Sequence, residues 1–301
     1  MAHVTVFCFL ASYLVAFLLE LSRLLGRSRI SRFVMVGFGV AGFAAHTWYL
    51  LNRAHQTHLP PLLSSTHDWM LVLAWVLVLF YLFITLLLAL SRQDLAVGVF
   101  ALPVVLLLVS STYLLNQEPN AALTEAAARA RWSWGILHAA LLVFGMTAGA
   151  IGLVSGSMYL IQHHRLKTRH AEPTGFRIPS LARLAQANRW SIILTYFLLT
   201  LGFASGVYLG ISTPGGASMV GYGDPAVVIS GLVWLLFGVL FARLWGQRAP
   251  GGRQVAWLTI GGCGFLLVTL LGLQILTGSI HSAAASGSHP SNSSADSEGR
   301  P

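Results

Sequence analysis

Eight stretches of nearly unbroken apolar residues run through this 301-residue chain, at 4–21, 33–51, 69–90, 97–115, 134–160, 191–211, 227–241 and 255–276. A helix needs about 20 mostly apolar residues to cross the hydrocarbon of a bilayer. Inside that hydrocarbon no water serves the backbone, so a spanning segment is either a helix or part of a closed barrel. Barrel strands alternate apolar and polar residues; these runs are continuous, which excludes a barrel. The expected fold class is all-α: a polytopic membrane protein of about eight transmembrane helices. Composition agrees, because only 9% of residues are charged and 55% are hydrophobic, against about 25% charged in a typical soluble domain. So few charges cannot cover a water-soluble surface of this size, which excludes a soluble enzyme and a disordered chain. The first run lacks a basic leading segment and an A-x-A site after it, so it is read as a retained helix rather than a cleaved signal peptide.

Orientation follows from the basic residues. Fourteen of the 18 Lys and Arg fall after spans one, three, five and seven, six of them between Arg165 and Arg189. Arg53, Arg129, Arg131 and Arg300 are the four on the other side. Basic loops stay cytoplasmic, so both termini are expected outside. The +9 net charge is then a topology signal and a contact with anionic lipid, not a nucleic-acid footprint.

The chain divides into an N-terminal four-helix membrane half at 1–130, a second four-helix half at 131–282 and a disordered Ser/Ala/Gly-rich tail at 283–301. Ser180 is placed to cap a short helix on the membrane surface, with Leu181, Leu184 and Ala185 at helical spacing. The stretch 119–131 is Ala-rich with Glu125 and Arg129 four apart, and reads as another short helix. Gly145, Gly149, Gly152 and Gly156 in the fifth span, and Gly202, Gly206 and Gly210 in the sixth, form small-xxx-small stripes that let helices approach closely. No fixed-period repeat stands out.

Ionisable groups within a membrane domain are functional candidates. Glu20, near the inner end of the first span, is read as snorkelling or pairing with Arg23. Three histidines lie toward the outer face: His46 in the second span, His138 one turn into the fifth, on one face with Trp134, and His281 just after the eighth. Neutral imidazole is a common metal ligand, and a facing pair can hold haem iron axially. His55, His58 and His67 read as solvated loop residues, and His163, His164 and His170 as part of the basic loop. Cys8 and Cys263 lie far apart in apolar runs, with no CxxC pair and no CxxCH, so the chain is not itself a c-type cytochrome. No nucleophile elbow, phosphate loop or H-E-x-x-H motif is present.

In order, the motifs are Ala45-His46-Thr47-Trp48-Tyr49-Leu50 with Trp75 after it, Trp134-Gly135-Ile136-Leu137-His138, Tyr159 leading into the basic stretch to Arg169, and Pro179-Ser180-Leu181. Phe197-Leu198-Leu199-Thr200-Leu201-Gly202 with Gly206, Gly223-Asp224-Pro225 before Val233-Trp234-Leu235, and Leu273-Gln274-Ile275-Leu276 closing on Ile280-His281-Ser282 complete the set. This succession resembles the cytochrome c assembly protein family of CcsA/ResC-type haem-handling membrane proteins and their HemX-like relatives. The resemblance implies a role in cytochrome c biogenesis in a bacterial inner membrane, with haem b as ligand and with an apocytochrome c and a second membrane assembly subunit as partners. It implies that His138 and His281 are outward-facing haem-iron ligands and that His46 is an intramembrane haem histidine. The sequence departs from the family at 217–225, where Tyr222 is the only aromatic residue of a normally tryptophan-rich segment, and at Ala242, where a second intramembrane histidine is usual. Those departures point toward the HemX-like branch and leave open a non-enzymatic scaffold that works without haem. A small-solute transporter has only the glycine-containing spans in its favour, without intramembrane charge pairs or broken helices.

Overall fold

A computed structural model describes residues 5–22, 29–90, 97–114, 132–168, 178–212, 225–246 and 252–286. Its elements are α1 (Val6–Ser22), α2 (Arg29–Thr57), the single turn α3 (Pro61–Ser64), α4 (Thr66–Leu90), α5 (Gly98–Ser111) with a 3-10 turn at Thr112–Leu114, α6 (Trp132–Lys167), α7 (Leu181–Ser212), α8 (Pro225–Gly246) and α9 (Gly252–Ser286). There is no strand among the described residues. Four stretches are long and apolar enough to cross a membrane: Phe33–Thr57, Thr66–Leu87, Ser133–Lys167 and Leu181–Leu209. Val6–Ser22, Gly98–Leu114 and Gly231–Arg243 are apolar but shorter. Large apolar side chains such as Phe33, Phe197 and Val268 point outward and stay exposed, as they do on helices that face acyl chains rather than water.

One packing order occurs twice. In the first set α1 packs on α2 and α5, while α4 joins α2 to α5; in the second α6 packs on α7 and α9, while α8 joins α7 to α9. A matching side-chain device recurs in both. The indole Nε1 of Trp75 donates to Thr47 Oγ1 at 2.8 Å, and Thr47 donates to the Phe43 carbonyl at 2.8 Å. Trp234 Nε1 donates to Thr200 Oγ1 at 2.8 Å, and Thr200 donates to the Tyr196 carbonyl at 2.7 Å. Phe43 stacks on Trp75 at 5.1 Å, and Tyr196 on Trp234 at 6.1 Å. The two copies differ in sequence spacing, 28 against 34 residues, which hides them from a search for a fixed period.

The two sets share a core. Phe9, Tyr13, Met70, Leu71, Leu73, Val105 and Leu108 are buried together with Val143 and Ala150 of α6, and Val104 of α5 packs on the cluster around Phe237 and Leu266. The tightest pair is α6 on α7, and the glycine stripe explains it. A methyl group on Gly145 would lie 3.1 Å from Leu199, and one on Gly202 only 2.8 Å from Leu142. Polar bonds cross the same seam: Ser155 Oγ donates to Asn188 Oδ1 at 2.7 Å and Ser191 Oγ to the Ala148 carbonyl at 2.5 Å. Small residues and interhelical hydrogen bonds replace the hydrophobic effect, which lipid cannot supply between helices.

Several expectations change. Leu181–Ala185 is not a separate surface helix; α7 runs unbroken from Leu181, and the Ser180 carbonyl accepts its first backbone bond, from Leu184 at 3.1 Å. The last helix continues to Ser286, so His281 lies within it and Ser282–Ser286 are helical. Glu20 does not snorkel: it is 3% exposed, packed where α5 begins, and a methyl group on Gly98 would meet it at 3.1 Å and Tyr81 at 2.9 Å. The expected helix at 119–131, Arg23 and the segments 217–224 and 287–301 lie outside the described residues.

Candidate functional site

His138 sits in the second turn of α6, against the C-terminal part of α7. Its Nδ1 lies 2.9 Å from the Gly202 carbonyl oxygen and 3.2 Å from Ser205 Oγ. A carbonyl only accepts, so Nδ1 carries the proton and shares it between these two oxygens. In the neutral ring Nε2 then holds the lone pair, which is how imidazole ligands are oriented: the far nitrogen is fixed by a backbone or carboxylate acceptor. Gly206 makes the seat. A methyl group there would lie 2.8 Å from His138 Cε1 and 3.2 Å from Nδ1, so any larger residue at 206 displaces the ring. Beside the histidine, Trp134 and Tyr208 bring their rings within 5.0 Å. Both are partly exposed, at 36% and 47%. The sequence puts Trp134 on the helix face of His138 but does not single out Tyr208; its position two residues after Gly206 was the available signal.

His46 belongs to a different helix pair. Its ring is wholly buried between α1 and α2 and stacks flat on Phe9, with centroids 4.2 Å apart and planes at 3°. Nδ1 is hydrogen-bonded to Tyr13 Oη at 3.2 Å. Nε2 is buried with no hydrogen-bond partner among the described residues. The structure therefore places His46 and His138 in separate seats. His281 falls in α9, and its side chain lies outside the described residues.

A third polar centre was missed. His67, expected to be solvated, is 1% exposed, whereas His55 and His58 are exposed. His67 Nδ1 lies 3.0 Å from Asp68 Oδ1. Asp68 is fully buried and accepts from Arg53 Nε at 3.1 Å, from an Arg53 terminal nitrogen at 3.1 Å and from Ser64 Oγ at 2.6 Å. Its backbone N–H donates to Ser65 Oγ at 3.1 Å, an N-terminal cap for α4. Leu63 of the preceding turn lies against Gly135 of α6, 3.7 Å from where a methyl group there would be. The pattern Ser65-x-x-Asp68 ahead of an apolar run was a readable capping signature. Among the described residues, no three His, Cys, Asp or Glu side chains converge as a metal cage, so a four-ligand zinc site is not built from them.

Residues 63–281 match the model of the family described as cytochrome C assembly protein. The chain belongs to that family. The matched region contains His67, His138 and His281 and leaves out His46. Family membership and four membrane-length apolar helices make the chain an integral membrane protein. Over 146 residues it is 25% identical to Protein HemX of Brevibacillus brevis, an alignment covering 48% of this chain and 52% of that relative. The chain thus spans about half the length of the curated relative it matches. No solved structure matches it.

Proposed function

We propose that this member of the cytochrome C assembly family serves cytochrome c biogenesis by holding haem at the outer face of a bacterial inner membrane. In this reading the chain has eight spans with both termini outside, His138 and His281 are the axial ligands, and His46 is a further haem histidine within the membrane. The observation that carries the reading is the seat of His138: Nδ1 donates to the Gly202 carbonyl, Gly206 leaves room for the ring, and Trp134 and Tyr208 offer an aromatic flank. That flank supplies beside His138 some of the surface that the tryptophan-poor segment 217–225 lacks. The buried, unpartnered Nε2 of His46 fits imidazole ligation as well. When bound, haem itself supplies the reactive groups for attachment to a protein, and the chain's part is to bind and orient it. An apocytochrome c and a second membrane subunit complete the proposed assembly.

The test is spectroscopic. Protein purified after haem-replete expression is expected to show a Soret band that disappears in the His138→Ala, His281→Ala double variant. A wild-type preparation without haem would refute the reading and leave the alternative, a HemX-like scaffold without haem, which the missing tryptophans and Ala242 favour. That alternative expects partner capture to survive alteration of both histidines.

A further inference from the structure

Two buried histidines leave Nε2 without a partner among the described residues, His46 and His67, and the second has no role in the proposed outer haem site. We propose that His67 is an additional iron ligand for a metallated tetrapyrrole, held in place by Asp68; this rests on the haem-binding reading. The Arg53 guanidinium and the Ser64 hydroxyl both donate to Asp68, so Asp68 is an ionised carboxylate and His67 Nδ1 is the donor between them. In the neutral ring, the Nε2 lone pair faces away from that carboxylate. A carboxylate behind a ligating imidazole fixes its tautomer and raises its basicity.

The same observations select the ligand class. No three His, Cys, Asp or Glu side chains gather among the described residues, and Asp68 is already taken up by Arg53, Ser64 and His67, so no cage for a bare cation is built here. A single imidazole suits a metal that brings four equatorial nitrogens of its own and needs only an axial partner. Placement agrees. His67 continues the buried stripe of α4 formed by Met70, Leu71, Ala74 and Val78, so it sits at the end of the bundle core. The adjoining turn α3 touches α6 at Gly135, three residues before His138. Leu63, four residues before His67, and Gly135, three before His138, thus place the two seats on neighbouring elements. Nε2 is covered in this conformation, beside the four-residue turn α3, so uptake of the tetrapyrrole requires a local rearrangement at this end of the bundle.

The experiment uses the full-length protein in detergent, titrated with hemin and followed by the Soret band, by electron paramagnetic resonance and by redox titration. The His46→Ala, His138→Ala, His281→Ala variant is expected to keep one haem with single-histidine, high-spin character. Adding His67→Gly abolishes that signal, and free imidazole restores it. In the same triple background, Asp68→Asn keeps the haem but raises its midpoint potential, because the ligand becomes less basic. If the glycine variant does not fold, His67→Met fills the same space, keeps a haem ligand and shifts the spectrum and the potential upward. A triple variant without haem, beside a wild type that binds it, overturns the proposal and leaves the functional reading intact. So does a spectrum that stays the same whether the triple variant retains His67, carries His67→Gly or carries His67→Met. A wild type that takes up no hemin overturns both.

Discussion

Gly206→Ala tests the His138 seat with a single methyl group. That methyl would lie 2.8 Å from His138 Cε1, 3.2 Å from Nδ1 and 3.6 Å from Nε2. Carbon atoms rest at about 3.5–4.0 Å, so the ring must retreat from α7 by about 0.7–1.2 Å. The Gly202 carbonyl lies on the same helix, so the 2.9 Å bond from Nδ1 stretches beyond hydrogen-bonding range. Overpacking costs about 1–3 kcal/mol and the lost bond about 0.5–1.5 kcal/mol. The better helix propensity of alanine returns about 1 kcal/mol. The net is a destabilisation of about 0.5–3.5 kcal/mol, seen as a lower Tm. Loss of the group that orients a ligating imidazole typically lowers affinity about 10–100-fold. Hemin titration and thermal unfolding in detergent read both effects. Gly231→Ala is the control: nothing lies within 4 Å of its added methyl, so it should leave hemin binding unchanged and Tm equal or slightly higher. A Gly206→Ala protein with wild-type affinity and Tm would refute the seat.

Arg53→Ala should cost about 3–5 kcal/mol in thermal unfolding, because it strands a fully buried carboxylate; a loss like that of an exposed charge would mean Asp68 is not ionised. His58 has φ 53°, a left-handed conformation just past the end of α2, so His58→Gly should stabilise the protein by about 1 kcal/mol and raise Tm. Thr200→Val strands the indole N–H of Trp234 and should cost about 1–2 kcal/mol. Adding Trp234→Phe should then cost less than the two single losses together, a non-additivity that a double-mutant cycle reads out.

The helical class and the glycine seam were legible because lipid imposes them: long apolar runs and small residues at four-residue spacing have few other uses. The seat of His138 was half legible. Trp134-x-x-x-His138 marks the helix face, but the Gly202 carbonyl that orients the ring comes from 64 residues away and leaves no local trace. His67 was misread because Ser64-Ser65-Thr66-His67-Asp68 looks like a polar loop. Its burial depends on Arg53, which arrives from another helix to neutralise Asp68. The snorkelling expected of Glu20 fails for a similar reason, since the close start of α5 at Gly98 covers it. The full extent of α9, to Ser286, is not legible because small residues resemble a tail, although the alanines at 283–285 favour helix continuation.

The paired tryptophan–threonine bonds limit how this molecule can rearrange. An indole N–H in a lipid-embedded bundle has no water to fall back on, so losing its acceptor costs about 1–2 kcal/mol. Neither α2 against α4 nor α7 against α8 can therefore slip by a turn or roll about its axis without breaking its staple. Motion that opens a passage through the bundle has to shift each of these pairs as one rigid blade.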